Sequence, residues 1–152
     1  MALTNEQRIA IMEQYDIDKV ELLRRVEEGN ECLFDISLDK YEKIVKIIEV
    51  DPTRPLNMGF SACSFCLGYN INCNVCPLHG EKREGDKDHR VDNCCDKLYN
   101  ALHCRRTVEN AKAIWSFIKA RKIEFYRINP GIKVLTGRIA RSVIESRGLP
   151  NG

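Results

Sequence analysis

The chain has 152 residues, 43% of them hydrophobic and 30% charged, which is the composition of an ordinary globular domain. Its apolar runs are only a few residues long, which argues against a membrane-spanning helix, and its first residues lack the pattern of a secretory signal. Eight cysteines without an export signal are expected to be thiols in a reducing compartment. The sequence predicts a cytoplasmic single domain over residues 1–152, with no membrane partner.

The first two predicted elements are short helices. Thr4 and Gln7 have the spacing of a capping box, so we expect a helix to begin there and to turn Ile9 towards the core. A second helix is predicted over residues 19–28, ending at Gly29, because glycine commonly terminates helices. The residues expected to face inward from this second helix are Leu22, Leu23 and Val26.

A longer third helix is predicted to have Ser37 as its N-cap and to end at Asp51, which precedes a proline. Its apolar residues recur at the three- and four-residue spacing of one buried face. They are Leu38, Tyr41, Ile44, Val45 and Ile48. Helical periodicity then disappears over residues 51–92. An irregular segment of this length is uncommon in a compact domain unless something orders it.

Two C-x-x-C pairs lie within this segment and predict a metal site. Cys63 and Cys66 are separated by six residues from Cys73 and Cys76. Four thiolates held by two such turns match the tetrahedral coordination of one Zn²⁺ ion, with Zn–S bonds of about 2.3 Å. Such a site has no open position, so its expected role is structural. An iron–sulfur cluster is the alternative cofactor, because a Cys-Pro step like Cys76-Pro77 also ends the bacterial ferredoxin run.

The C-terminal elements are predicted to be mainly helical. Thr107 is expected to cap one helix, residues 123–128 read as a short strand, and residues 129–131 form an Asn-Pro-Gly turn. A last helix is predicted within residues 132–147. The predicted fold is therefore mainly α, or α+β at most. It is a helical domain with an irregular cysteine-rich zinc-knuckle insert at residues 51–92.

A second group of metal-ligand residue types follows the insert. It contains Cys94, Cys95 and Cys104, with His103 beside the last of them. Cys95 lies on an apolar helical stripe, where a small buried side chain is the simpler interpretation. The spacing leaves open whether Cys94, Cys104 and a histidine bind a second metal ion.

Charge is divided unevenly along the chain. Residues 1–96 hold 12 Lys and Arg against 19 Asp and Glu, a net charge of −7, whereas residues 97–152 hold 12 against 3, a net charge of +9. A basic end of this kind is a sign of nucleic-acid binding, DNA or RNA, but it is also produced when two ends of one fold attract each other. The candidate nucleic-acid contacts are Arg105, Arg106, Lys119, Arg121, Lys122, Arg138 and Arg141.

The cysteine signature resembles one found in small uncharacterised proteins of phages and prophages. The shared pattern is C-x-x-C, a tyrosine (Tyr69), then C-x-x-C-P-L, followed by a further cysteine and a tyrosine such as Tyr99. The resemblance spans about residues 60–120. It implies a metal-binding protein of viral or mobile-element type and implies no activity.

The chain contains none of the common catalytic motifs, such as a phosphate-binding loop or H-E-x-x-H. The leading hypothesis is therefore a non-enzymatic zinc-binding module that binds nucleic acid through its basic C-terminal third. One alternative is a zinc-stabilised adaptor of viral or mobile-element type that binds a protein through the insert and the charged residues 81–90. The other is an iron–sulfur protein.

Overall fold

The structure, a computed structural model, describes residues 3–15, 19–53, 63–69, 76–78 and 95–148. Every regular element in these ranges is a helix, which confirms the mainly α prediction. The helices are α1 (Asn5–Tyr15), α2 (Lys19–Glu28), α3 (Leu33–Val50), α4 (Ser64–Gly68), α5 (Cys95–Cys104), α6 (Val108–Ile128) and α7 (Gly137–Ser146).

The two longest helices, α3 and α6, share the most extensive helix–helix contact and form the centre of the fold. α3 is buried over most of its length, with Phe34, Tyr41 and Ile44 fully enclosed. The short helix α4 contacts α2, α3 and α7, and the described parts of these helices bury their apolar side chains in one core. This arrangement places the first cysteine pair, which flanks the start of α4, inside the protein.

The two N-terminal helices follow the predicted boundaries closely. The backbone N–H of Thr4 donates to Gln7 Oε1 at 2.9 Å and the N–H of Gln7 donates to Thr4 Oγ1 at 3.1 Å, so the predicted capping box is present. α2 covers the predicted residues and Gly29 follows it with a φ of 69°. The prediction of an inward Ile9 was wrong, since this side chain is 58% exposed, and Leu23 is exposed as well.

The third helix begins five residues before the predicted start. Its N-cap is Cys32, whose side chain does not cap the helix, and the N–H of Leu33 donates instead to the carbonyl oxygen of Leu135 at 2.8 Å. A contact with a distant part of the chain thus satisfies an N–H group at the start of the helix. In most helices a polar side chain at the N-cap accepts this kind of hydrogen bond. Ser37, predicted as the cap, lies inside the helix and is buried.

The predicted strand over residues 123–128 was wrong, because these residues form the last turns of α6. Phe125 and Tyr126 both reach the ring of Phe34, at centroid distances of 5.6 and 6.0 Å, so packing against α3 favours the helix. The Thr107 cap is confirmed, with its hydroxyl accepting from the N–H of Asn110 at 3.1 Å. The last helix begins at Gly137, later than its apolar spacing suggested.

The remaining predictions for the insert fall mainly outside the described residues, which include only 51–53, 63–69 and 76–78 of the range 51–92. None of the helices within the described ranges has the length and apolar character needed to cross a bilayer.

Candidate metal centre and basic surface

The first cysteine pair is fixed by hydrogen bonds between α4 and α3. The hydroxyl of Ser64 donates to the carbonyl oxygen of Leu33 at 2.8 Å, and the hydroxyls of Ser64 and Ser37 are 2.6 Å apart. Because Ser64 uses its only proton on Leu33, Ser37 is the donor in the second bond. Both serines are buried, so this network specifies how the C-x-x-C turn sits on the core.

Close packing adds to this attachment. The ring of Phe65 meets Phe34 edge to face, with 4.9 Å between the centroids. At the other end of α4, a Cβ placed on Gly68 would lie 2.9 Å from Leu33 Cδ1 and 3.5 Å from the Cβ of Ala140. The absence of a side chain at Gly68 therefore lets α4 lie directly against α3 and α7. The C-x-x-C turn is part of the core rather than an appendage to it.

Cys63 lies in surroundings that favour its thiolate form. Its side chain is 2% exposed, and the Tyr99 hydroxyl donates to its Sγ over 3.6 Å. A hydrogen bond with the Cys66 side chain, the positive charge of Lys40 and the Tyr99 hydroxyl together lower the pKa of Cys63 to about 5, although burial opposes the shift. These contacts shift the equilibrium towards the thiolate, which is the form that binds metal ions.

Lys40, on α3, lies close enough to Cys63 and Cys66 for their charges to interact. It is the one charged residue among the described residues that are buried, and burial lowers the pKa of its ammonium to about 8, while Cys63 and Cys66 act in the opposite direction. Sequence analysis missed this residue, because a lysine between Leu38 and Tyr41 on an amphipathic helix is ordinarily at the edge of the solvent-facing side. No signal in the sequence could have identified it, because its burial depends on how α3 packs in the fold.

The second cysteine pair is described only in part. Cys76 is buried in the same core, and burial together with the nearby Cys76 raises the pKa of the Tyr69 phenol above its usual range. Cys73 lies outside the described residues. Within the described ranges no three Cys, His, Asp or Glu side chains come together as a ligand set. The structure thus brings Cys63 and Cys66 together, whereas Cys76 does not join them as a third ligand and Cys73 is not described.

The other cysteines are placed separately. Cys32 is buried at the start of α3, with its Sγ 3.2 Å from the Tyr126 hydroxyl. Cys104 is exposed at the end of α5. Cys94 and the side chain of Cys95 fall outside the described residues, so the possible second metal site stays a prediction.

The serine network that holds α4 supports a specific prediction. Replacing Ser64 with alanine removes the donor to Leu33 and leaves two buried polar groups without their partner. We expect the free energy of unfolding to fall by about 2 kcal/mol. Urea denaturation of Ser64→Ala, compared with the same change at the exposed Ser116, measures this cost. Equal midpoints for the two variants would show that the network contributes nothing.

Several predicted nucleic-acid contacts are engaged within the fold. Lys122 forms an ion pair with Asp35 at 2.7 Å, and Arg141 is 3.5 Å from Glu27. Both pairs join the basic C-terminal third to the acidic N-terminal half. Part of the charge division therefore serves attraction between the two ends of one fold, the second of the two interpretations given above.

Two further arginines also make internal contacts. Arg106 donates to the carbonyl oxygen of Thr53 at 3.2 Å, and the guanidinium of Arg121 lies 5.2 Å from the ring centre of Phe117. Contacts of this kind hold the two guanidinium groups in place and make them less available to bind a ligand.

The remaining three predicted contacts, Arg105, Lys119 and Arg138, are exposed. Lys119 lies on the outer face of α6, seven residues from Lys112, which is also exposed, and Arg105 precedes the same helix. Arg138 lines a cleft of about 240 Å³ between α2 and α7, together with Arg141 and Ser142. Arg105, Lys112 and Lys119 thus lie on or next to α6, whereas Arg138 lies at the cleft between α2 and α7.

No protein family, no curated protein and no solved structure matches the chain.

Proposed function

We propose that the chain is a non-enzymatic zinc-binding module whose basic C-terminal third binds nucleic acid. Cys63, Cys66, Cys73 and Cys76 bind one zinc ion in this proposal. The observation that supports the metal site most directly is the first C-x-x-C pair itself, in which the buried Cys63 and the partly buried Cys66 share a hydrogen bond within the core. Two cysteine side chains held together in this way form one half of a four-thiolate site.

The proposed zinc ion has a structural role. Four thiolates close the coordination sphere and leave no position for water or substrate. Ser64 and Phe65 attach the first C-x-x-C turn to α3, so a zinc ion bound there would tie the insert to the centre of the core. When bound, the ion would cross-link residues 63–66 to residues 73–76 within the insert.

Elemental analysis of the anaerobically purified protein, together with its visible absorption spectrum, tests the metal assignment. We expect one zinc per chain and no visible colour. Iron with sulfide and a brown solution would overturn the zinc assignment in favour of an iron–sulfur protein. A protein that contains neither metal and takes up no added Zn²⁺ would contradict the proposal as a whole.

The nucleic-acid surface is proposed to be the exposed face of α6. Lys112, Ser116 and Lys119 recur on this face at helical spacing, and Arg105 precedes the helix. These side chains are spaced along the helix so that several can meet phosphates of one strand, and contacts of this type bind without reading sequence. The pairing of Lys122 with Asp35 places that lysine outside the proposed surface.

Replacing Lys112 and Lys119 together with alanine is expected to weaken binding to DNA or RNA and to reduce its salt dependence. Each phosphate contact contributes about 0.9 to the slope of log K against log salt, so loss of two should reduce the slope by about 2. Fluorescence anisotropy with labelled oligonucleotides over a range of salt concentrations measures both effects.

A matched control removes the same charge elsewhere. Lys46, on α3, and Lys133, in the turn after α6, are both exposed, and their double alanine variant has the same net charge. We expect this control to keep the wild-type slope. Equal losses in both variants would contradict a defined surface on α6. A wild-type protein that binds neither DNA nor RNA would favour the protein-binding adaptor.

A further inference from the structure

A lysine is buried beside the first cysteine pair, an unusual position for this residue. Lys40 is 3% exposed, and its Nζ lies 5.2 Å from the ring centre of Tyr41. That ring stacks on Tyr99, with 6.0 Å between centroids, and the Tyr99 hydroxyl is 3.6 Å from Cys63 Sγ. Lysines are almost never fully buried unless their charge is compensated. An ammonium, two stacked phenols and a cysteine sulfur therefore form one continuous group across α3, α4 and α5.

We infer that Lys40 and Tyr99 are the outer shell of the cysteine site, where they stabilise the bound metal and keep Cys63 an unreactive ligand. The inference rests on the proposed function, because it assigns a role around the metal that the four cysteines are proposed to bind. It goes beyond that function by assigning roles at the site to two residues that are not metal ligands. Neither residue contacts the metal in this inference, and both act through the sulfur.

The role of Lys40 follows from the charge of the site. Zn²⁺ with four thiolates carries two more negative than positive charges, and a buried net charge is costly unless an opposite charge lies nearby. The side chain of Lys40 is enclosed in the same core, where the stacked rings of Tyr41 and Tyr99 connect it to Cys63, and its ammonium supplies one positive charge there. An apolar residue at this position would leave the excess charge uncompensated. Removing one partner of a buried pair of charges is strongly destabilising for that reason.

The role of Tyr99 follows from the hydrogen bond that its hydroxyl donates to Cys63 Sγ. A phenol O–H that donates to a cysteine sulfur orients the lone pairs of that sulfur and withdraws charge from the atom that would attack an electrophile. Tyr41 supports this geometry, since its ring stacks on Tyr99 at an interplanar angle of 25°. The sulfur is thereby held in one orientation for a metal ion and made less nucleophilic.

The test compares Lys40→Met and Tyr99→Phe in the full-length chain, with Zn²⁺ as the probe. Zinc affinity is measured by competition with a chelating dye, and the reactivity of zinc-loaded Cys63 by mass spectrometry after iodoacetamide treatment. We expect Lys40→Met to lose zinc affinity by about 10- to 100-fold and Tyr99→Phe by about 10-fold. Both variants should also alkylate faster at Cys63 than the wild type.

Lys46→Met is the control, because it removes a lysine from an exposed position on the same helix and should leave both measurements within about twofold of wild type. Wild-type affinity and alkylation rate in both site variants would overturn the inference while leaving zinc binding intact. A wild type that binds no zinc would instead overturn the proposed function. If Lys40→Met fails to fold, as judged by its circular dichroism, Tyr99→Phe decides, because it retains the stacked ring and loses only the donor.

Discussion

Replacing Cys73 with serine is expected to abolish stoichiometric zinc binding and to unfold at least the insert at residues 51–92. Serine is a poor ligand for Zn²⁺, and three thiolates do not close a structural site. The apparent free energy of zinc binding to sites of this kind is about 10 kcal/mol or more at neutral pH. A loss of that size is comparable with the whole stability of a domain, so the effect should extend beyond the insert.

Zinc content and thermal unfolding of the purified variant measure this effect. Cys32→Ser and Cys104→Ser are the controls, because Cys32 is at the start of α3 beside the Tyr126 hydroxyl and Cys104 is exposed. Cys32→Ser should be mildly destabilising, Cys104→Ser should be neutral, and both should keep the metal. A Cys73→Ser protein that retains its zinc and its melting temperature would show that Cys73 is not a ligand.

The helices of the fold could be predicted where their ends are determined locally. The capping box at Thr4 and Gln7 and the stop at Gly29 depend on residues within one turn of the helix, and both predictions were confirmed. The start of α3 could not be predicted in this way. The N–H of Leu33 donates to the carbonyl oxygen of Leu135, about a hundred residues further along the chain. Because this contact satisfies the first donor, Cys32 can precede the helix without a capping side chain.

The candidate site was predictable only for the residues that carry a motif. The C-x-x-C spacing identifies Cys63 and Cys66, and the structure brings these two together. The spacing says nothing about Ser64 and Lys40, whose importance comes from contacts between α4 and α3. A buried lysine has no signature in a single sequence, because the same letter at the same helical spacing most often marks the solvent-facing edge.

The basic third of the chain shows why composition alone left two interpretations open. Lys122 and Lys119 are three residues apart on one helix, yet Lys122 is paired with Asp35 and Lys119 is exposed beside Trp115. Which lysine pairs depends on how α6 is rotated against α3, and that rotation is fixed by packing. The net charge of the C-terminal third therefore does not show which of its basic side chains are exposed to solvent.

Gly137→Ala is expected to cost about 3 kcal/mol, the upper end of the usual cost of adding an atom to a filled interface. A Cβ at this position would lie 2.4 Å from the carbonyl oxygen of Val26 and 3.1 Å from its Cγ1. The nearest obstacle is backbone in α2, which cannot rotate away as a side chain can, so α2 and α7 must separate. For a chain of this size the melting temperature should fall by roughly 6–12 °C.

Gly131→Ala is the matched control, because a Cβ added in that turn meets nothing within 4 Å. The comparison is informative because helix propensity predicts the opposite order. Alanine is about 1 kcal/mol more favourable than glycine in a helix interior, and a smaller preference of the same sign applies to Gly137, the first residue of α7, so local preference alone would stabilise that variant. A destabilised Gly137→Ala beside an unchanged Gly131→Ala can come only from the contact with Val26. Equal stability of the two would mean that α7 does not lie against α2 in this way, and α4, which rests on both helices, would then lose part of the support that holds the cysteine pair in the core.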